Sequence, residues 1–152
     1  MIYSAGIIPY RLNDDGEMEF FVGHAGGNHH NGRSLWMFLK GHVEGDENWE
    51  ETAIREFQEE TNIEIPKEKL KHLIPLGQVL QNSYKTTIAF GVHYPEIDPC
   101  ECHSNMAEEG DYPEIDGYQW MPYSKLKVVT HPTHIGFYEQ LLSINGISDE
   151  SY

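Results

Sequence analysis

Positive charge is scarce in this chain: 10 lysines and arginines stand against 25 aspartates and glutamates over 152 residues, a formal net charge of −15. A protein that grips long nucleic acid takes most of its affinity from Lys and Arg on phosphates. A long DNA or RNA partner is therefore not expected, nor an RNA 5′-end processor that needs a basic groove. A small phosphorylated ligand stays open, because a bound divalent cation can join acid to acid. Cysteine is almost missing. Cys100 and Cys102 sit one residue apart, too close for a framework disulfide, so a reducing cytoplasm is expected. No apolar run approaches the roughly 18 residues of a membrane span. Met1 to Gly6 shows no basic segment followed by a long apolar stretch, so no signal peptide is expected. Repeats and low-complexity linkers are also lacking. Hydrophobic residues make up 39% and aromatics 12%, which excludes a disordered composition and suits one domain over residues 1–152 with a proper core.

What the chain has in excess is carboxylate, concentrated between Gly41 and Ile63, where seven glutamates fall in 23 residues. Asn48 to Thr61 reads as a helix. Asn48 can cap it with Glu51 three residues on, as in a capping box, and acids crowd its first turn, where the helix dipole favours them. Ala53, Ile54 and Phe57 supply an apolar side, Asn62 can end the helix in a left-handed conformation, and Pro66 forbids continuation. Around this helix the pattern predicts strands. Ser4 to Arg11 and Met18 to His24 form a hairpin about Asn13-Asp14-Asp15-Gly16. A short strand over Leu35 to Leu39 runs into Lys40-Gly41. Leu73 to Gln81, Thr86 to Tyr94 and Tyr118 to Met121 follow, with a closing helix over Thr133 to Ile144. Ala25 to Ser34 and the acidic stretch Pro95 to Pro113 read as loops. Strands flanked by two helices place the fold in the α+β class or an α/β/α layer arrangement.

Glu56, Glu59 and Glu60 stand at i, i+3 and i+4 and share one helix face. Acid-rich helices are usually solvated faces, but these three adjoin an apolar side that must face a core. Mg²⁺ and Mn²⁺ take oxygen ligands and keep several waters, so carboxylates together with a substrate phosphate can complete their shell. Gly41 offers a backbone carbonyl that no side chain blocks, and Arg55 can pair with an acid such as Glu47 and fix its orientation.

Gly41, Glu47 and Arg55-Glu56-Phe57-Gln58-Glu59-Glu60-Thr61-Asn62-Ile63, at these spacings, resemble the Nudix box, Gly-x5-Glu-x7-Arg-Glu-U-x-Glu-Glu-x-Gly-U with U a bulky apolar residue. Two positions depart from it. Asn62 stands where the box has its second Gly, and Phe57 fills a position usually aliphatic; Asn is a common substitute for Gly at a left-handed position, and neither change removes a ligand. The resemblance implies a Nudix-type α/β/α sandwich with a mixed central sheet, and hydrolysis of a diphosphate linkage in a nucleoside diphosphate joined to another group. It implies Mg²⁺ (or Mn²⁺) at Glu56, Glu59, Glu60 and the Gly41 carbonyl, with Glu47 and Arg55 in support. A glutamate, Glu56 or Glu59 or a distant acid, would deprotonate the attacking water. Similar enzymes carry a further acid about six residues before a late Trp. Glu114 precedes Trp120 at that spacing and either serves as extra ligand or general base or merely caps a strand; Glu108 and Glu109 come next.

Lys40-Gly41-His42-Val43-Glu44, with Tyr84-Lys85 before an apolar strand, resembles the diadenosine tetraphosphate hydrolase branch. There, Lys40, Tyr84 and Lys85 would touch substrate phosphate and base, although each lysine taken singly also reads as solvated. Leu39 replaces that branch's usual Pro, and Gly45-Asp46-Glu47 its Pro-Gly-Glu. Ser4-Ala5-Gly6-Ile7 and His24-Ala25-Gly26-Gly27 resemble a second, bacterial branch. The partner implied is a small nucleotide, and the branch resemblance points to a dinucleoside polyphosphate. ADP-ribose, FAD, nucleoside triphosphates and a non-catalytic nucleotide-binding module remain as alternatives. Phe137, Tyr138 and Tyr118 can stack on a base, with core preferred for Tyr138. His29, His30, His131 and His134 read as surface. Cys100-Glu101-Cys102-His103 holds too few ligands, too close in sequence, for tetrahedral zinc.

Overall fold

The computed structural model describes residues 1–26, 34–106 and 113–148; His29, His30, Glu108 and Glu109 lie outside them. The frame is one mixed sheet, of seven strands among the described residues. Strand β1 (Ile2–Leu12) turns into β2 (Met18–Ala25) at the expected hairpin. The Asn13 side-chain oxygen accepts from the amides of Asp15 and Glu17, and Gly16 takes φ 78° to close the turn. Strands β1 and β2 pair only over Tyr10–Leu12 and Met18–Phe20, then part. The gap is filled by the next segment, which is two strands rather than the single one expected. Strand β3 (Trp36–Met37) pairs with β2, the chain steps across at Phe38, and β4 (Leu39–His42) pairs with β1. Gly41 thereby lies inside a strand, opposite Ala5. Strands β5 (Ile74–Asn82) and β6 (Lys85–His93) form a second hairpin, with β6 parallel to β1; β7 (Ile115–Pro122) pairs with β2.

Alternation along the strands sorts the core into two layers. Ala5, Ile7, Phe21, Leu39 and Ile88 pack with Ala53 and Phe57 of helix α1 (Trp49–Thr61) on one face. Ile8, Phe20, Phe38 and Ala89 pack with Tyr138 and Leu141 on the other. The result is the expected sandwich. Helices number four rather than two among the described residues. The short α2 (Lys67–Leu70) and α3 (Tyr123–Val129) were not foreseen, and the closing helix is a 3₁₀ turn, Pro132–His134, running into α4 (Ile135–Ile144). Among its described residues, the Pro95–Pro113 stretch is polar but not wholly outside. Ile97 is buried, and its carbonyl accepts from the Trp120 indole at 2.9 Å. His134 corrects a surface reading: it is 0% exposed, packed against Phe38 and Phe137. Burial lowers its imidazole to about 2.

Helix α1 begins as its sequence dictates. The Asn48 side chain accepts from the Glu51 amide at 2.8 Å while Glu51 accepts from the Asn48 amide at 3.0 Å. Asn62 ends it at φ 58°. Replacing Asn48 by Ala should lower stability by about 1 kcal/mol; a denaturant midpoint equal to the parent's would show that packing alone fixes the helix start.

Candidate active site

The carboxylates come from the C-terminal half of α1, pressed against β1 and β4. Glu56 is 8% exposed and Glu60 5%, while the Glu59 side chain remains 44% exposed. The shared face foreseen from the spacing is therefore graded, with two acids under cover and one open. Gly41 explains how Glu56 fits: a Cβ built on Gly41 would overlap the Glu56 carboxylate. Only a residue without a side chain lets strand and carboxylate approach this closely.

Arg55 organises the acids. Its Nε donates to Glu47 at 2.7 Å and its Nη2 to the other Glu47 oxygen at 3.0 Å. Its Nη1 reaches Glu56 at 2.8 Å and Glu59 at 3.2 Å, and Nη2 also donates to the His42 carbonyl at 3.0 Å. Glu47 further accepts from the Thr52 hydroxyl and the Glu44 amide. The Arg55 contact holds the Glu47 carboxyl down to about 2, and these acids in turn raise the Arg55 guanidinium above its ordinary value. Glu56 and Glu60 go the other way. Burial pushes the Glu56 carboxyl up, with Arg55 opposing and the charges of Glu59 and Glu114 adding to the rise. Glu60 is pushed well above the usual carboxylate range by burial and then by Glu56 and Glu114, and its Oε2 has no hydrogen-bond partner among the described residues.

Glu114 sits just before β7, near enough for its charge to act on both buried acids, with its amide bonded to the Asn105 carbonyl and its carbonyl to the Gly26 amide. Lys40, on β4, is lowered to about 8, by burial first and then by Lys85, while Glu60 and Glu56 oppose the change. Lys40, Lys85 and the acids are thus one electrostatic neighbourhood. Tyr84 is different: its ring is 61% exposed on the β5–β6 turn, and its carbonyl accepts from the Ile2 amide. Two features escaped the sequence reading. The Tyr118 hydroxyl, with its ring stacked on Phe21, donates to the Glu60 carbonyl. His24 bridges Asp116 at 2.6 Å and Ser34 at 2.8 Å, a contact across 92 residues that no local pattern announces. Cys102, half-buried with its thiol pushed up to about 12 by burial, sits in a strap of chain outside this group.

Among the described residues, no three His, Cys, Asp or Glu groups are already gathered as a metal site; Arg55 stands as counter-charge to Glu56 and Glu59. The donor set nevertheless fits a hard divalent cation. It offers oxygen only, two of the three carboxylates are raised by burial and mutual repulsion, and one buried oxygen has no partner among the described residues.

A NUDIX domain model matches residues 3–141. The chain belongs to the Nudix hydrolase family. It is accordingly a pyrophosphohydrolase by class. No curated protein matches this Nudix hydrolase, but its fold recurs widely in solved structures. The C. elegans Ap4A hydrolase in a binary complex is similar with a TM-score of 0.69 at 19% identity, over 97% of this chain and 100% of that one. The NUDIX domain of Shewanella oneidensis NrtR, complexed with ADP ribose, gives 0.66 at 16% identity, over 93% and 88%. The MutT protein from Methanosarcina mazei Go1 gives 0.59 at 22%, over 95% and 94%. At these identities the structures speak for the fold alone. No helix among the described residues is long and apolar enough to cross a membrane.

Proposed function

We propose that this Nudix hydrolase uses Mg²⁺ or Mn²⁺ to cleave a diphosphate linkage in a small nucleotide derivative, with dinucleoside polyphosphates as the first substrate class to test. The observation that carries the reading is the buried oxygen of Glu60, without a hydrogen-bond partner among the described residues, beside the raised carboxyl of Glu56 and the depressed Lys40. A buried acid in this state gains from a cation, and a buried lysine gains from an anion. Glu56, Glu59, Glu60 and the Gly41 carbonyl would hold the metal. Bound there, it would neutralise diphosphate oxygens and lower the pKa of a water. Arg55 and Glu47 orient Glu56 and Glu59. Glu114 or one of the box glutamates takes the proton from the attacking water. Lys40 and Lys85 meet substrate phosphate, and Tyr84 offers an exposed ring for a base. The Ap4A hydrolase neighbour supports the dinucleoside class, and the ADP-ribose complex of the NrtR domain supports ADP-ribose as the second. A cytoplasmic location, argued from cysteine usage, belongs to the same reading. A binding module without catalysis is disfavoured because every acid of the box is present.

The test is turnover of diadenosine polyphosphates, ADP-ribose, FAD and nucleoside triphosphates with either metal, following release of a nucleoside phosphate. Glu59→Gln should lower turnover on the preferred substrate by about 100-fold or more. Folded protein that turns over no panel member would favour the binding module, and full turnover in Glu59→Gln would remove Glu59 from the metal set.

A further inference from the structure

We infer that Asn62 and Ser104 are positioning residues that hold Glu114 in register with the carboxylate helix, so that the asparagine standing in place of the box's second glycine contributes through its side chain. The inference rests on the proposed role of Glu114. The last carbonyls of a helix have no donors within it. In α1 they are taken by a strap of chain over 103–106 and by a side chain of β7. The His103 amide donates to the Thr61 carbonyl at 3.1 Å, the Asn105 amide to Glu59 at 3.4 Å, and the Tyr118 hydroxyl to Glu60. Residues 113–115, which include Glu114, are bonded to this strap. The Glu114 amide donates to the Asn105 carbonyl at 3.0 Å, the Ile115 amide to Ser104 Oγ at 2.9 Å, and Met106 bridges Pro113. Ser104 Oγ faces the carbonyls of Asn105 at 2.9 Å and Ile115 at 3.3 Å for its single proton.

Asn62 ties the strap to the helix from the other side. Its left-handed backbone is the part a glycine would satisfy equally. Its side-chain Nδ2 donates to the His103 carbonyl at 2.7 Å, which a glycine cannot do. The tie has a reason to exist. Glu114 is placed where the charges of Glu56 and Glu60 repel it, so a segment free to relax would carry it away. Backbone bonds at Asn105 and Gly26, the Ser104 hydroxyl and the Asn62 amide together oppose that drift.

Asn62→Gly isolates the contact, since it restores the family's residue and keeps the turn. Steady-state kinetics on the preferred panel substrate should show kcat reduced about 10- to 100-fold in Asn62→Gly and in Ser104→Ala, from a displacement of an ångström or less. KM and melting temperature should stay near the parent's, Ser104→Thr should retain activity, and neither change should add to the loss in Glu114→Gln. Amide exchange at Glu114 and Ile115 reads the same tie without turnover and should speed up in both variants. Parental kcat in Asn62→Gly and Ser104→Ala, losses that multiply with that of Glu114→Gln, or unchanged exchange would each overturn the inference. Parental kcat in Glu114→Gln alone would instead remove the role given to Glu114, a separate failure that takes the inference with it.

Discussion

Glu60→Gln is expected to raise the melting temperature of the metal-free protein while cutting turnover by roughly 10³-fold, the equivalent of several kcal/mol of lost cation-borne stabilisation. The two effects share one cause. Glu60 is 5% exposed, its Oε2 lacks a partner among the described residues, and its carboxyl is raised by burial, then by Glu56 and Glu114. A raised carboxyl binds its proton more tightly in the folded state than in the unfolded one. Stability therefore falls as pH rises from the ordinary carboxylate range through the folded value. Glutamine keeps the shape, carries no charge and offers an N–H to Glu56, which should return about 1–3 kcal/mol in the metal-free state. Melting curves in chelator across pH check this: the parent should lose stability above the carboxylate range and the variant should lose less. Added Mg²⁺ should raise the parent's midpoint and leave the variant's almost unmoved. A variant less stable than the parent in chelator, or one that still turns over substrate, would show that Glu60 is a structural acid.

The helix that carries these acids was legible because its signals are local. Asn48 and Glu51 cap it, Ala53 and Phe57 face the core, and Asn62 ends it, all within one stretch of chain. The shared face of Glu56, Glu59 and Glu60 followed from helical geometry. Their unequal exposure did not, because it depends on β1 and β4 lying over one edge of that face. The same limit governs the misses. Leu35 to Leu39 reads as one apolar strand, yet the chain changes partners at Phe38 because β1 and β2 separate after Phe20. Four residues of α2 and seven of α3 are too few for a helical period to stand out. His134 is polar in a polar-looking turn, and one of the rings that takes it out of water, Phe38, lies nearly a hundred positions earlier. Asn62 was readable as a turn residue, but its amide bond to His103 spans 41 positions.

Gly41→Ala should be nearly as damaging as losing a box glutamate, although it adds one methyl group and alters no charge. The new Cβ would occupy the position of the Glu56 carboxylate. Strand β4 is fixed by its pairing with β1 over Ser4–Ile7, so the backbone cannot easily retreat. Glu56 must move instead, and it is held by Arg55 Nη1 at 2.8 Å and enclosed on a face where it is only 8% exposed. Swinging it out also disturbs the Arg55 contacts to Glu47 and Glu59. Overpacking of this kind costs about 1–3 kcal/mol of stability, and misplacing a ligand by an ångström lowers turnover roughly 100-fold. Gly136→Ala is the matched control, since a Cβ there meets nothing within 4 Å and lies in α4; it should keep turnover and hold or raise the melting temperature. Because the same methyl group is added at both positions, a loss confined to Gly41 isolates the approach of strand to carboxylate as the cause. A Gly41→Ala protein that is destabilised yet fully active would show instead that the position of Glu56 matters to the fold and not to the chemistry.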